Sequence, residues 1–86
     1  MTNEQYLQIA KKYATKQEYP MVRFIEQNED GFIYNITDPE EWGRKLGPPT
    51  FILVSNQGEV IEINDLDLIY EYKTMLSTLI KAGKFG

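Results

Sequence analysis

The apolar run Thr50–Ser55 constrains the fold of this chain of 86 residues more than any other stretch. It reads TFILVS, it follows Gly47-Pro48-Pro49, and it is followed by Asn56-Gln57-Gly58. An apolar run without alternation, bounded by turn residues, is typical of a strand that is covered on both faces. The diproline has preset φ angles and no N–H groups, so it suits the entry into such a strand. We therefore expect a central strand at 50–55, with the rest of the chain arranged around it.

The remaining residues predict three more strands and two long helices. Thr2 and Gln5 have the spacing of a capping box at the start of a helix. Two short β-type runs flank the turn residues 28–31 and must pair antiparallel. In chain order we expect helix 3–15, strand 21–27, strand 32–37, a short helix at 39–45, strand 50–55, strand 59–63 and helix 65–82, the last capped by Asn64 or Asp65. The predicted fold class is α+β, a four-stranded antiparallel sheet in α-β-β-(short α)-β-β-α order within one domain, 1–86.

The apolar stripes of these elements predict the core. The residues that we expect to be buried are Phe51, Leu53, Val54, Ile61, Ile69 and Leu76. Most of the six tyrosines also fall on predicted core stripes, so we interpret them as packing residues and not as binding residues.

The sequence lacks the residue types that carry most catalysis. It contains no histidine and no cysteine, which removes the commonest general base, most zinc ligands and thiol nucleophiles. Glu40/Glu41 and Asp65/Asp67 remain as alternatives for acid–base work by paired carboxylates. Acids in a first helical turn are, however, accounted for by the helix dipole. We expect no catalytic residue, no metal and no cofactor.

The charge distribution favours a basic protein as the partner. From Glu26 to Glu71 the chain has eleven acids and only Arg44 and Lys45 as bases, a local net charge of −9. Nucleic acid is not expected as a ligand, because binding to phosphates requires clustered cations. No apolar run approaches the ~18 residues of a membrane span, and the N-terminus has polar residues throughout. We expect a cytoplasmic protein of a microbe, with no membrane contact.

The predicted topology assembles a candidate binding surface. In a four-stranded meander, the connection 37–49 and the exit from the last strand lie at one end of the sheet. The residues brought to that end are Asp38, Glu40, Glu41, Trp42, Asp65 and Asp67. We interpret Trp42 as an anchor and the acids as groups that steer a basic partner. The alternative is two solvated helix starts and a buried Trp42.

Three further pieces together resemble a known family. They are the strand Gly31-Phe32-Ile33-Tyr34-Asn35, the Gly47-Pro48 entry into the apolar strand, and the turn Gly58-Glu59-Val60. In this order they are similar to the YrhB-like, immunity protein 35 family of bacterial polymorphic-toxin systems. The resemblance implies a small cytoplasmic protein that binds and neutralises a toxin without catalysis. Our first hypothesis is a non-enzymatic binding protein, an immunity-type or phage-encoded inhibitor. The alternative is a structural or chaperone-like accessory domain without a single partner.

Overall fold

An antiparallel sheet of four strands lies between two helices. The computed structural model describes residues 1–38 and 50–81, the last three of these by their backbone alone. The elements are α1 (Asn3–Lys16), β1 (Met21–Asn28), β2 (Gly31–Thr37), β3 (Thr50–Ser55), β4 (Val60–Glu62) and α2 (Leu66–Lys81). The strands follow the order β1-β2-β3-β4, each antiparallel to its neighbour. The predicted α+β class is confirmed, and β3 is an inner strand; the short helix expected after Asp38 lies outside the described residues.

Local hydrogen bonds define both ends of α1. Oγ1 of Thr2 accepts from the N–H of Gln5 at 3.2 Å, and Oε1 of Gln5 accepts from the N–H of Thr2 at 2.8 Å. This is the predicted capping box. At the other end Glu18 has a φ of 66°, and the N–H of Tyr19 donates to the carbonyl of Ala14 at 2.8 Å. That bond and the left-handed residue form a Schellman-type end, which turns the chain toward β1.

The face of the sheet beneath α1 carries one half of the core. Residues Tyr6, Ala10 and Ala14 of α1 are buried against it. The buried strand residues on this face are Phe32, Tyr34, Ile36, Ile52 and Val54. Phe32, Tyr34 and Ile36 therefore alternate toward this face, as every second residue of a strand does.

The opposite face is covered by α2. Ile69, Tyr72 and Leu76 of the helix pack against Ile25, Ile33 and Phe51 of the sheet. Because the inner strands are covered on both sides, β2 is buried from Gly31 to Ile36, including Asn35. The result is three layers: α1, the sheet and α2. The residue pattern of β2 alone did not predict that both of its faces are covered.

One predicted core residue is exposed. Phe51, Val54, Ile69 and Leu76 are buried as expected, and Leu53 is half-buried. The prediction for Ile61 was wrong, because its side chain is 50% exposed. Ile61 lies opposite Leu53 on β4, an edge strand. Since α2 packs mainly against β1 and β3, an apolar residue on the outermost strand is left uncovered.

The two hairpin turns lie at one end of the sheet, which we call the turn end. Asn28 Oδ1 accepts from the N–H groups of Asp30 and Gly31, at 2.8 and 3.1 Å. Gly31 has a φ of 148°, and a Cβ atom at this position would collide with the carbonyl oxygen of Val54. Glycine is therefore required where β2 begins beside β3.

Neither of the helices formed by residues 3–16 and 66–81 has the length and apolar character required to span a bilayer.

Candidate protein-binding surface

Half of the predicted surface falls within the part of the chain that the structure describes. Asp38 follows β2, whose last residue Thr37 pairs with Met21. Asp65 and Asp67 follow β4, at the same end of the sheet, because β2 and β4 run in the same direction. With β3 between them, these two strands are separated by roughly 10 Å. Glu40, Glu41 and Trp42 lie outside the described residues, so their place in this surface stays a prediction.

The carboxylate of Asp65 is engaged at the start of α2. Its Oδ1 accepts from the N–H of Asp67 at 2.9 Å and from that of Leu68 at 3.4 Å. The carbonyl of Asp65 accepts from the N–H of Ile69 at 2.9 Å. Asp65 is therefore the N-cap, one of the two residues predicted for this role. Its charge contributes to the local field, while its hydrogen-bonding capacity is used by the helix.

Two exposed apolar side chains lie beside the acids of α2. Leu66 is 63% exposed and Tyr70 is 64% exposed, and a spacing of four residues places them one above the other on the helix. Asp67 and Glu71, both exposed, form a parallel row next to them. We call these four residues, Leu66, Asp67, Tyr70 and Glu71, the α2 surface.

Sequence reasoning missed Tyr70 because it assigned most tyrosines to core stripes. The missed signal was its helical angle. Tyr70 is one position from Ile69 and therefore about 100° around the helix from the buried residue. The buried stripe runs through Ile69, Tyr72 and Leu76, which turns Tyr70 away from the sheet.

The negative field extends from α2 toward the β1–β2 turn. Burial raises the pKa of Tyr72, and the nearby carboxylates of Glu26, Glu71 and Asp30 raise the pKa further. These three acids therefore lie close enough to Tyr72 to oppose its ionisation. Within residues 1–38 and 50–81, no three acidic side chains are arranged to hold a metal ion. The carboxylates of Glu26, Glu71 and Asp30 give this part of the surface a negative potential.

A second surface feature lies on the opposite face, between α1 and β1. It is an aromatic groove of about 200 Å³ lined by Asn3, Leu7, Phe24, Phe32 and Tyr34. The ring of Phe24 is 45% exposed. Its centroid lies 5.7 Å from that of Phe32 and 5.9 Å from that of Tyr34. The groove is smaller than most ligand sites, and its lining contains no Asp, Glu, Lys or Arg side chain that would select a partner by charge.

Comparison of the chain with protein-family models, with curated proteins and with solved structures found no match.

Proposed function

We propose that this is a non-enzymatic binding protein that neutralises a basic protein partner through the acidic start of α2. The observation that carries the proposal is the pairing of Leu66 and Tyr70, exposed to 63% and 64%, with the exposed acids Asp67 and Glu71. Aromatic and aliphatic anchors beside charges are a common composition of protein interfaces. The surrounding charges steer a cationic partner toward the surface.

Two properties of the sequence support the same proposal. The local net charge of −9 between Glu26 and Glu71 favours a basic partner. The absence of histidine and cysteine favours binding over catalysis. The resemblance to the YrhB-like, immunity protein 35 family supports a bacterial toxin as the partner and the cytoplasm as the compartment. Under this proposal Asp38, Glu40, Glu41 and Trp42 extend the same surface.

The proposal is tested by reversing the charge of the α2 surface. The probe is a short synthetic amphipathic peptide of Lys and Leu, and its affinity is measured by fluorescence anisotropy at low and at physiological ionic strength. The variant combines Asp67→Lys and Glu71→Lys, which are exposed positions. We expect affinity to fall by at least about tenfold and its salt dependence to weaken.

The matched control changes the net charge equally at a distance from this surface. It combines Glu4→Lys and Glu59→Lys, exposed acids in α1 and in the β3–β4 turn. We expect this control to retain most of the affinity, with circular dichroism verifying the fold of both proteins. Equal losses in the two variants would mean that the peptide responds to net charge alone, and would contradict a defined surface.

A second experiment asks for the natural partner. Tagged wild-type protein and both charge variants are used for affinity purification from the native host, followed by mass spectrometry. We expect the wild-type protein and the control to capture one basic protein in stoichiometric amount. The variant with Asp67→Lys and Glu71→Lys is expected to lose it. A broad set of proteins captured equally by all three would contradict the proposal and favour an accessory domain.

A further inference from the structure

The outer side of α2 carries a second apolar row in addition to its buried stripe. The buried stripe of Ile69, Tyr72 and Leu76 faces the sheet. Leu66 and Tyr70 are more exposed than any other large apolar side chain among those that the structure describes as exposed. Leucine and tyrosine bury large apolar areas on association, and tyrosine loses little conformational freedom when it does so.

The charges beside this row select among possible occupants. A two-fold dimer through the α2 surface would bring the acidic pair Asp67 and Glu71 of both copies into one interface, since both copies use the same patch. Like charges brought together in this way disfavour that arrangement. An anionic lipid surface is disfavoured for the same reason. A segment with apolar side chains flanked by lysine or arginine complements both rows.

We infer that Leu66 and Tyr70 are the apolar anchor of the α2 surface and that the occupant is a cationic amphipathic helix of the partner. This inference rests on the proposed function and names the chemistry of its partner. A helix fits because Leu66 and Tyr70 lie one turn apart, so apolar residues spaced three or four apart on a second helix meet them in a helix–helix contact. Cations on the side of that stripe next to the acidic row then face Asp67 and Glu71.

The test separates apolar recognition from simple charge attraction. Two synthetic peptides carry the same number of lysines, one with leucines at helical spacing and one with serines in their place. For the wild-type protein we expect the Lys/Leu peptide to bind at least about tenfold more tightly than the Lys/Ser peptide. In the variant Leu66→Ser/Tyr70→Ala we expect that preference to fall to within about threefold.

Control variants keep the test independent of folding. Tyr70→Phe retains the ring and is expected to retain the preference. Thr74 lies one turn further along the exposed side of α2. Among the described contacts, its hydroxyl donates only to the backbone carbonyl of Tyr70. Thr74→Ala is therefore expected to leave the preference unchanged. All positions are exposed, and thermal unfolding verifies that each variant folds.

The outcomes distinguish the inference from the proposed function. If charge reversal at Asp67 and Glu71 weakens both peptides but the wild-type protein shows no preference for leucine, the proposed function stands and the anchor is wrong. If the preference persists in Leu66→Ser/Tyr70→Ala, the apolar contact lies elsewhere and the inference is also wrong. Sedimentation velocity tests for a dimer. If the wild-type protein self-associates and Leu66→Ser/Tyr70→Ala abolishes this, the occupant is a second copy and the inference is overturned. Wild-type binding to phosphatidylserine vesicles that the variant loses would overturn it in favour of a membrane.

Discussion

The hydroxyl of Tyr6, in α1, donates a 2.9 Å hydrogen bond to Oδ1 of Asn56, fifty residues later in the β3–β4 turn. The Nδ2 of Asn56 donates to the carbonyl of Glu29 at 2.8 Å, and its backbone N–H donates to the carbonyl of Asp30 at 3.3 Å. One side chain thus joins α1 to both hairpin turns. This network holds the turn end of the sheet, opposite the end at which α2 begins.

Removing this link is expected to destabilise the whole fold. We predict that Asn56→Ala lowers the free energy of unfolding by about 1–2 kcal/mol, because the hydroxyl of the buried Tyr6 loses its acceptor and the exposed carbonyl of Glu29 loses a donor. Tyr6→Phe keeps the ring stacked 4.1 Å from Phe32 and removes only the hydroxyl, at a cost of about 1 kcal/mol. In a double-mutant cycle measured by urea denaturation, a coupling energy of roughly 0.5–1.5 kcal/mol is expected. Strict additivity of the two changes would mean that the bond contributes nothing.

Alanine at Gly31 and at Gly58 should have unequal effects. Both glycines have positive φ, 148° and 84°, so each substitution is strained. At Gly31 the new Cβ collides with the carbonyl of Val54, whereas at Gly58 the nearest atom is Ile9 Cδ1 at 3.5 Å. We predict losses of more than about 2 kcal/mol for Gly31→Ala and about 1 kcal/mol for Gly58→Ala. Equal melting temperatures for the two variants would contradict the close approach of β2 and β3.

Glycine at position 18 should stabilise the protein. Glu18 has a φ of 66° at the Schellman-type end of α1, a conformation that costs a residue with a Cβ about 1–2 kcal/mol. Part of the gain is offset by the greater freedom of glycine in the unfolded chain. We predict a net gain of about 0.5–1 kcal/mol for Glu18→Gly in thermal or urea unfolding. Gln17→Gly, at a φ of −91°, is the control and should not stabilise; a gain there as large as at position 18 would exclude relief of strain as the cause.

Tyr34 should make stability fall at high pH. Burial, with a smaller contribution from Tyr6, raises the pKa of Tyr34 to about 12, against about 10 in an unfolded chain. Below about pH 10 both states are protonated; between about pH 10 and 12 the unfolded state loses its proton first, so the free energy of unfolding decreases. We compare the free energy of unfolding of Tyr34→Phe with that of the wild-type protein. The difference, variant minus wild type, should be constant to about pH 9 and rise above pH 10. A difference that stays constant to about pH 12 would contradict the raised pKa. Subtraction is required because burial also raises the pKa of Tyr13 and Tyr72.

Local signals were sufficient for most of the fold. The bounds of β3 were predicted because Pro48-Pro49 and Asn56-Gln57-Gly58 limit the run on either side. The capping box at Thr2 was predictable because both of its hydrogen bonds join residues three apart in the chain. The antiparallel pairing of β1 and β2 followed from the short turn between them.

Tertiary coverage was not predictable from the same patterns. Ile61 alternates as a core residue does, yet its exposure depends on where α2 lies across the sheet. Asn35 is polar, yet it is buried at 1% exposure because β2 is covered on both faces, and its Nδ2 donates to the carbonyl of Thr50 at 3.0 Å. For the candidate surface, the sequence predicted the acids Asp38, Asp65 and Asp67 and gave the apolar role to Trp42, and this assignment stays a prediction. The exposure of Leu66 and Tyr70 can be predicted only once the position of the buried stripe of α2 is known.

The most direct test of the central claim is a residue-by-residue map of peptide binding. The ¹⁵N-labelled protein is titrated with the Lys/Leu amphipathic peptide while two-dimensional NMR spectra record each backbone amide and the Trp42 indole. We predict that the largest shifts fall within residues 65–74, accompanied by Asp38 and Trp42, and that they vanish in the variant with Asp67→Lys and Glu71→Lys. Shifts centred instead on the aromatic groove at Leu7, Phe24 and Tyr34, or shifts that persist after charge reversal, would contradict the assignment of the binding surface to the acidic start of α2.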